Sequence, residues 1–384
     1  MVEALLADGL PLNESNNYTE NLLAFGQSLG LYKVGVANAD ILHRARQALH
    51  QRKSQGLHNQ MQFTYRNPER STDPTRSLPS AKSVIVGALS YSSLTPDVAP
   101  TGELSARVAR YVWSDYYEQL RSSLRKIASK LEADGYRCIV LADDNAMVDR
   151  EVAYQAGLGW FGKNSNLLID GAGSYFVLGC IITDAALTPA VVPVADGCGS
   201  CRRCLDNCPT QAIIAPGLID ANRCLAWLLQ KPGVFDREFR VALGDRLYGC
   251  DDCQEVCPPT VRHERQGKEA ATVQLVDRPK AWVSVIKILT SDDSALLADH
   301  GVWYIANREP KWLRRNALII LGNIADKSDE VVVELLQKYL AHEDPMLRAH
   351  AVWAAARLGL NNLLPKTDDD ELVMAELRSL PSVK

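Results

Sequence analysis

Cys198-Gly-Ser-Cys201-Arg-Arg-Cys204-Leu-Asp-Asn-Cys208-Pro209 is the stretch that decides how the chain is read. Its spacing, C-x2-C-x2-C-x3-C-P, is the one by which bacterial ferredoxins hold iron–sulfur cubes. Three thiolates two residues apart share one tight loop and wrap one cube. The fourth, after three residues and before a proline, points away to a second cube. Cys250-Asp-Asp-Cys253-Gln-Glu-Val-Cys257-Pro258 follows downstream, with Cys224 between the two runs. These account for all but two of the 10 cysteines and are enough for two [4Fe–4S] clusters. By the crossing rule, Cys257 completes the cluster of Cys198, Cys201 and Cys204, and Cys208 joins Cys224, Cys250 and Cys253. Structural zinc is the competing reading, but zinc sites favour separated C-x2-C pairs over a triple ladder closed by x3-C-P.

The 384 residues carry 42 Lys+Arg against 46 Asp+Glu, a net charge of −4, with 47% hydrophobic and 23% charged residues. This is a soluble globular composition, long enough for two or three domains. No run of about 18 apolar residues exists, so no membrane span is expected. Met1–Asp8 has no basic stretch and no sustained apolar run, so neither an export signal nor a disulfide-forming compartment is expected. Near-neutral charge excludes a globally basic coat and leaves a local patch, Arg308, Lys311, Arg314 and Arg315. That patch reads either as phosphate contacts or as a salt-bridged helix face. Cys138 and Cys180 lie in apolar strand-like runs and read as buried free thiols.

The first 185 or so residues alternate helix and strand signals. Thr19 to Leu29 reads as a helix stopped by Gly30. Ser83 to Tyr91 and Arg137 to Leu141 read as strands. Tyr117, Leu120, Leu124, Ile127 and Leu131 form one apolar helical stripe. Asn166 to Ile169 and Tyr175 to Thr183 flank Asp170-Gly-Ala-Gly173 and read as a hairpin. The fold class expected is α+β. Thr188 to Pro193 reads as a linker, and beyond Arg265 the chain turns helical. There Leu313-Arg-Arg-Asn-Ala-Leu and Leu347-Arg-Ala-His-Ala-Val align 34 residues apart, each after a proline, like HEAT-type repeats. The expected domains are therefore 1–187, 188–265 and 266–384.

Gly157-Leu-Gly159-Trp-Phe-Gly162 fits G-x-G-x-x-G but is preceded by a helix and followed by a strand, the wrong context for a dinucleotide site. It reads either as a tight structural turn or as backbone approaching a flat, bulky ligand beside Trp160, Phe161 and Lys163. Asp143 and Asp144 end a strand-like run, where carboxylates commonly reach a cleft.

Taken in order, Gly157-Leu-Gly-Trp160-Phe-Gly-Lys163-Asn164, the cysteine ladder, Gly249-Cys250-Asp-Asp-Cys253-Gln254 and Arg315-Asn316-Ala-Leu-Ile-Ile-Leu-Gly322-Asn323 resemble the epoxyqueuosine reductase family, over residues 18 to 360. The resemblance implies a reductive-dehalogenase-like cobalamin-binding α/β domain, a ferredoxin-like double-cluster module and HEAT-like helices. It implies a cytoplasmic, monomeric enzyme that uses cobalamin and two [4Fe–4S] clusters. The reaction would remove the epoxide oxygen of epoxyqueuosine at the tRNA wobble position, with electrons from an unidentified donor and no membrane. Carried over by motif, the catalytic acid falls on Asp143, with Asp144 the alternative. Corrin contacts fall on Arg66, Arg110, Tyr111, Asp143, Lys163 and Asn164. Tyr117 stands where the family has His, and the segments Cys224–Lys231 and Cys257–Thr260 also depart from its pattern. Two other readings follow from the same residues: a dehalogenase-like reductase of a small molecule, and a non-catalytic electron carrier using the clusters alone.

Overall fold

A computed structural model describes residues 12–92, 99–190, 194–266 and 281–384. Met1–Asp8, part of the expected linker and the segment after the second cysteine run therefore lie outside the described residues. The N-terminal part is built on a four-stranded sheet in the order Lys33–Asn38, Ser83–Ser90, Phe176–Thr183, Cys138–Ala142, with every neighbouring pair antiparallel. Ser83–Ser90 is buried along nearly its whole length because both of its faces are covered. Ile85 and Leu89 pack toward the helix Tyr116–Ala133, whose Leu120, Leu124, Ile127 and Leu131 form the expected stripe and are fully buried. Val84, Val86 and Ala88 pack on the other side with Val152 and Ala153 of the helix Asp149–Gln155. Burying each such aliphatic side chain is worth roughly 1.5–3 kcal/mol. The N-terminal helix spans Leu12–Ser28, starting earlier than the apolar period suggested.

The expected hairpin does not form. Leu167–Leu168 pairs instead with Trp160–Phe161, and only the bridge Ile169–Gly173 closes the turn. Phe176–Thr183 is apolar on both faces, so it occupies an interior place in the sheet, between Ser83–Ser90 and Cys138–Ala142.

A second sheet links the three parts expected from sequence. Ser105–Val108 lies between Arg246–Tyr248, parallel, and Trp282–Ser284, antiparallel. One large buried cluster draws residues from Leu22 to Leu358, with smaller clusters beside it. The C-terminal helices include Lys311–Ile324, Glu330–Leu340, Pro345–Arg357 and Glu371–Arg378. The last three start on aspartate caps at Asp329, Asp344 and Asp370, whose side chains accept backbone N–H groups of the first turn.

The helical part leans on the cysteine region through buried polar bonds. Arg315 has no exposed surface, and its guanidinium donates to the carbonyls of Lys231 and Gly233 (both 2.7 Å) and of Leu228 and Leu229. Asn316 donates to the carbonyls of Leu229 and Leu247, and Asn323 to those of Arg240 and Gly244. Arg315→Met would leave several buried carbonyls without donors. Chemical denaturation of the variant should show a loss of about 3 kcal/mol or more, and a loss within about 0.5 kcal/mol would contradict the strut.

Candidate active site and metal ligands

Strand Cys138–Ala142 delivers Asp143 into a left-handed backbone conformation, φ 53°. A non-glycine residue held there is uncommon and suggests a constrained loop. Asp144 is occupied by that loop: its Oδ1 accepts the N–H of Ala146 at 2.8 Å. Asp143 stays open to solvent. Desolvation by surrounding protein raises its carboxyl above the ordinary aspartate value, Arg121 opposes the rise and Asp144 adds to it. Because the residue remains accessible, the shift is a direction toward the neutral acid rather than full protonation.

Asp143 has buried company. Asp149, at the start of the next helix, has an Oδ1 with no hydrogen-bond partner among the described residues. Burial and then Asp143 push its carboxyl well up. Tyr117 is half-buried, and its hydroxyl is raised by burial, then by Asp143 and Asp149. Tyr248 is also raised, by burial first, with Asp143 among the smaller causes. The Tyr111 ring lies 6.3 Å from that of Tyr248, and its hydroxyl accepts from Gln230 at 3.1 Å.

Arg110 joins this region to the second cysteine run. Its backbone N–H donates to Asp251 at 2.7 Å, and Asp251 also accepts from Gln254 at 2.8 Å. Gln254 in turn accepts from Ser174 and Tyr91. Burial pushes the Asp251 carboxyl up to about 6, against the Arg110 N–H. The Arg110 guanidinium pairs with Glu264 and lies 4.8 Å from the centre of the Tyr175 ring. The Nε of Arg110 and the hydroxyl of Tyr175 are buried without a partner among the described residues. Arg66 is exposed just after the turn Phe63–Tyr65, outside this network.

Lys163 and Asn164 hold the cysteine loops. Lys163 Nζ donates to the carbonyls of Gly199 (2.6 Å) and Cys201 (2.9 Å). Asn164 is buried and donates to the carbonyl of Cys253 at 3.3 Å. The glycines before them serve close packing: a Cβ on Gly159 would sit 2.0 Å from the carbonyl oxygen of Leu168. Lys163→Met removes a charged donor from two loop carbonyls, so iron should leave the first loop about tenfold faster under chelator. An unchanged release rate would remove Lys163 from that role.

The thiols influence one another within and between the two cysteine runs. Burial lifts Cys257 to about 11, and Cys198, Cys204 and Cys201 press the same way. Cys204 is raised by burial with contributions from Cys198 and Cys201. Cys253 is raised by burial and then Cys224, with Cys204 and Cys208 contributing less, and Cys224 feels Cys208. Thiols held up in this way need a strongly positive centre to ionise them. Among the described residues no three metal-ligating side chains close on a single ion, and a cube takes its thiolates at separate corners. Cys138 bonds weakly to Thr183, and Cys180 is fully buried in the sheet.

The basic patch does not form one free surface. Lys311 pairs with Glu309 and Asp344, Arg314 with Asp293, and Arg315 is the buried strut. Arg308 precedes the helix, and the adjacent Arg314 and Arg315 diverge around it, one toward Asp293 and the other into the core. Asp149, Asp251 and Tyr248 were given no role from sequence, and Gln254 stood there only within a family motif. A buried acid leaves no periodic signal, although Asp251 sits visibly inside the second cysteine run.

Comparisons with known proteins agree on one family. A description reading "Epoxyqueuosine reductase QueG, DUF1730" matches residues 71–149, a "4Fe-4S double cluster binding domain" matches 197–260 and "HEAT repeats" match 301–376. Epoxyqueuosine reductase of Aliivibrio fischeri is 34% identical over 90% of this chain and 93% of its own. That of Bacillus subtilis is 32% identical over 92% of each. A crystal structure of epoxyqueuosine reductase with a tRNA-Tyr epoxyqueuosine-modified stem loop is 30% identical, covers 94% of this chain and 97% of that one, and has a TM-score of 0.82. A structure of the Bacillus subtilis enzyme, with an aspartate-bearing catalytic loop swung out of the active site, is 29% identical over 94% of this chain and 98% of that one, also at 0.82. Identity at this level across nearly the whole length, together with the cysteine ladder, carries one conclusion: the chain belongs to the epoxyqueuosine reductase family.

Proposed function

We propose that this chain, as a cytoplasmic monomer, reduces epoxyqueuosine to queuosine in a tRNA anticodon, with Asp143 as the proton donor. The observation that carries this is a partly desolvated, strand-end acid felt by Tyr248, two residues before the second cysteine run of a double-cluster ladder. Removing the epoxide oxygen as water consumes two electrons and two protons. Cobalamin, when bound, supplies the reducing centre, and the clusters carry electrons to it one at a time from a donor yet to be identified.

The residues around Arg110 and Asp149 suit a corrin. The unpartnered Nε of Arg110, hydroxyl of Tyr175 and Oδ1 of Asp149 are buried polar atoms facing no protein partner among the described residues. A ligand edged with amides offers both donors and acceptors to such atoms. Arg110 and Tyr111 are the contacts best placed by this argument. Lys163 and Asn164 act instead by holding the cluster loops near the pocket.

Opening the epoxide C–O bond leaves negative charge on oxygen, so a proton must reach that atom. An ordinary aspartate is ionised at neutral pH and cannot give one. The raised carboxyl of Asp143 favours the neutral acid, and Tyr117 and Asp149 crowd it from within. Its open side leaves room for a nucleoside, and the aspartate loop of the Bacillus subtilis structure supports a mobile acid at this place. The test is anaerobic: chain with iron, cobalamin and a chemical reductant is given a tRNA stem loop carrying epoxyqueuosine. Digestion should release queuosine, lighter by one oxygen. Persistence of epoxyqueuosine with both cofactors bound would refute the reading.

A further inference from the structure

Trp160 is buried, 5% exposed, yet its indole Nε1–H has no surface and no acceptor among the described residues. A donor left unsatisfied in this way costs about 1–3 kcal/mol, so most such groups prove to have a partner once ligands are counted. The indole packs in a small cluster with Leu168, Cys257, Cys198 and Val194. Cys257 and Cys198 are two of the four thiols assigned to the first cube. The cysteine loop is shaped to this ring as well: a Cβ on Gly197 would lie 2.7 Å from Cζ2 and 3.1 Å from Cε2 of the indole. Cη2 is also 3.1 Å away, so the chain immediately before Cys198 packs over the six-membered ring of the indole. Lys163, three residues on, fixes the same loop through Gly199 and Cys201.

We propose that the Trp160 indole N–H donates a hydrogen bond to a sulfur of the first cluster, a Cys198 or Cys257 thiolate or an inorganic sulfide, and sets that cluster's reduction potential. A donor on a cluster sulfur stabilises the more electron-rich, reduced form, and so raises the potential. Trp160 is a positioning and tuning residue here, since it touches neither substrate nor the reacting atoms. The inference rests on the two-cluster reading given above.

The test is a redox titration followed by electron paramagnetic resonance on anaerobic, iron-loaded full chain. Two variants are compared with the wild type. Trp160→Phe removes the N–H and part of the ring. Replacement of Trp160 by benzothienylalanine keeps the bicyclic shape and removes only the N–H. In both, the first cluster should shift to a more negative potential while the second stays put. A benzothienylalanine form whose first cluster keeps the wild-type potential overturns the proposal, including when Trp160→Phe alone shifts, because the effect would then be packing. Wild-type chain that takes up no iron would instead sink the two-cluster reading itself, so the two failures are distinct.

Discussion

Asp143→Asn is expected to lower turnover of epoxyqueuosine by about 10²–10⁴-fold, the usual contribution of a positioned general acid. The amide keeps the size and polarity of the side chain, so iron content, corrin binding and stem-loop affinity should stay near wild type. Asp144→Asn should be much milder, because Asp144 serves the loop through Ala146. The same substitution has a stability signature with opposite sign. The folded carboxyl of Asp143 is raised above its unfolded value by burial. Such a group favours the fold only where it is protonated, below the unfolded pKa, and that contribution fades as pH rises through the folded pKa. The neutral amide of the variant has no charge to desolvate. Asp143→Asn should therefore melt higher than wild type near neutral pH, and the gain should shrink on acidification. A variant that turns over normally, or that gains nothing at neutral pH, would argue against a desolvated acid at this position.

Cys257→Ala is the second large effect expected. Cys257 is buried, belongs to the second cysteine run, and lies among the thiols of the first. On that assignment the variant should lose or degrade the cluster of Cys198, Cys201 and Cys204. The cluster of Cys208, Cys224, Cys250 and Cys253 should keep its iron and its resonance signal. Cys208→Ala should do the converse. Iron should fall from about eight atoms per chain toward four in each case, and turnover should stop in both, since a broken relay passes no electrons. Loss of the second cluster's signal in Cys257→Ala, with the first retained, would show that the crossing runs the other way.

Much of the fold could be read from local chemistry. The stripe on Tyr116–Ala133, the strand Ser83–Ser90 and the helix before Gly157 are short-range patterns, and they formed where expected. Phe176–Thr183 misled because its turn-like neighbours suggested a hairpin, while its two apolar faces demanded an interior strand. The sheet joining Ser105–Val108 to Arg246–Tyr248 and Trp282–Ser284 is a pairing across long sequence distances that no local pattern encodes. The ladder was legible because thiolate spacing is itself the coordination geometry. The surroundings of Asp143 were legible only in part. Tyr117 and Asp143 carried motif signals, but Asp149, Tyr248 and the Arg110–Asp251–Gln254 chain are brought together by folding alone.

Metal analysis of anaerobically prepared chain incubated with cobalamin tests the central claim most directly. Two cubes beside a corrin pocket call for about eight iron and matching sulfide per chain, together with one tightly held cobalt and a visible spectrum that bleaches on reduction. Colourless protein, or zinc in place of iron, would contradict the cluster assignment, and iron without retained cobalt would contradict the pocket.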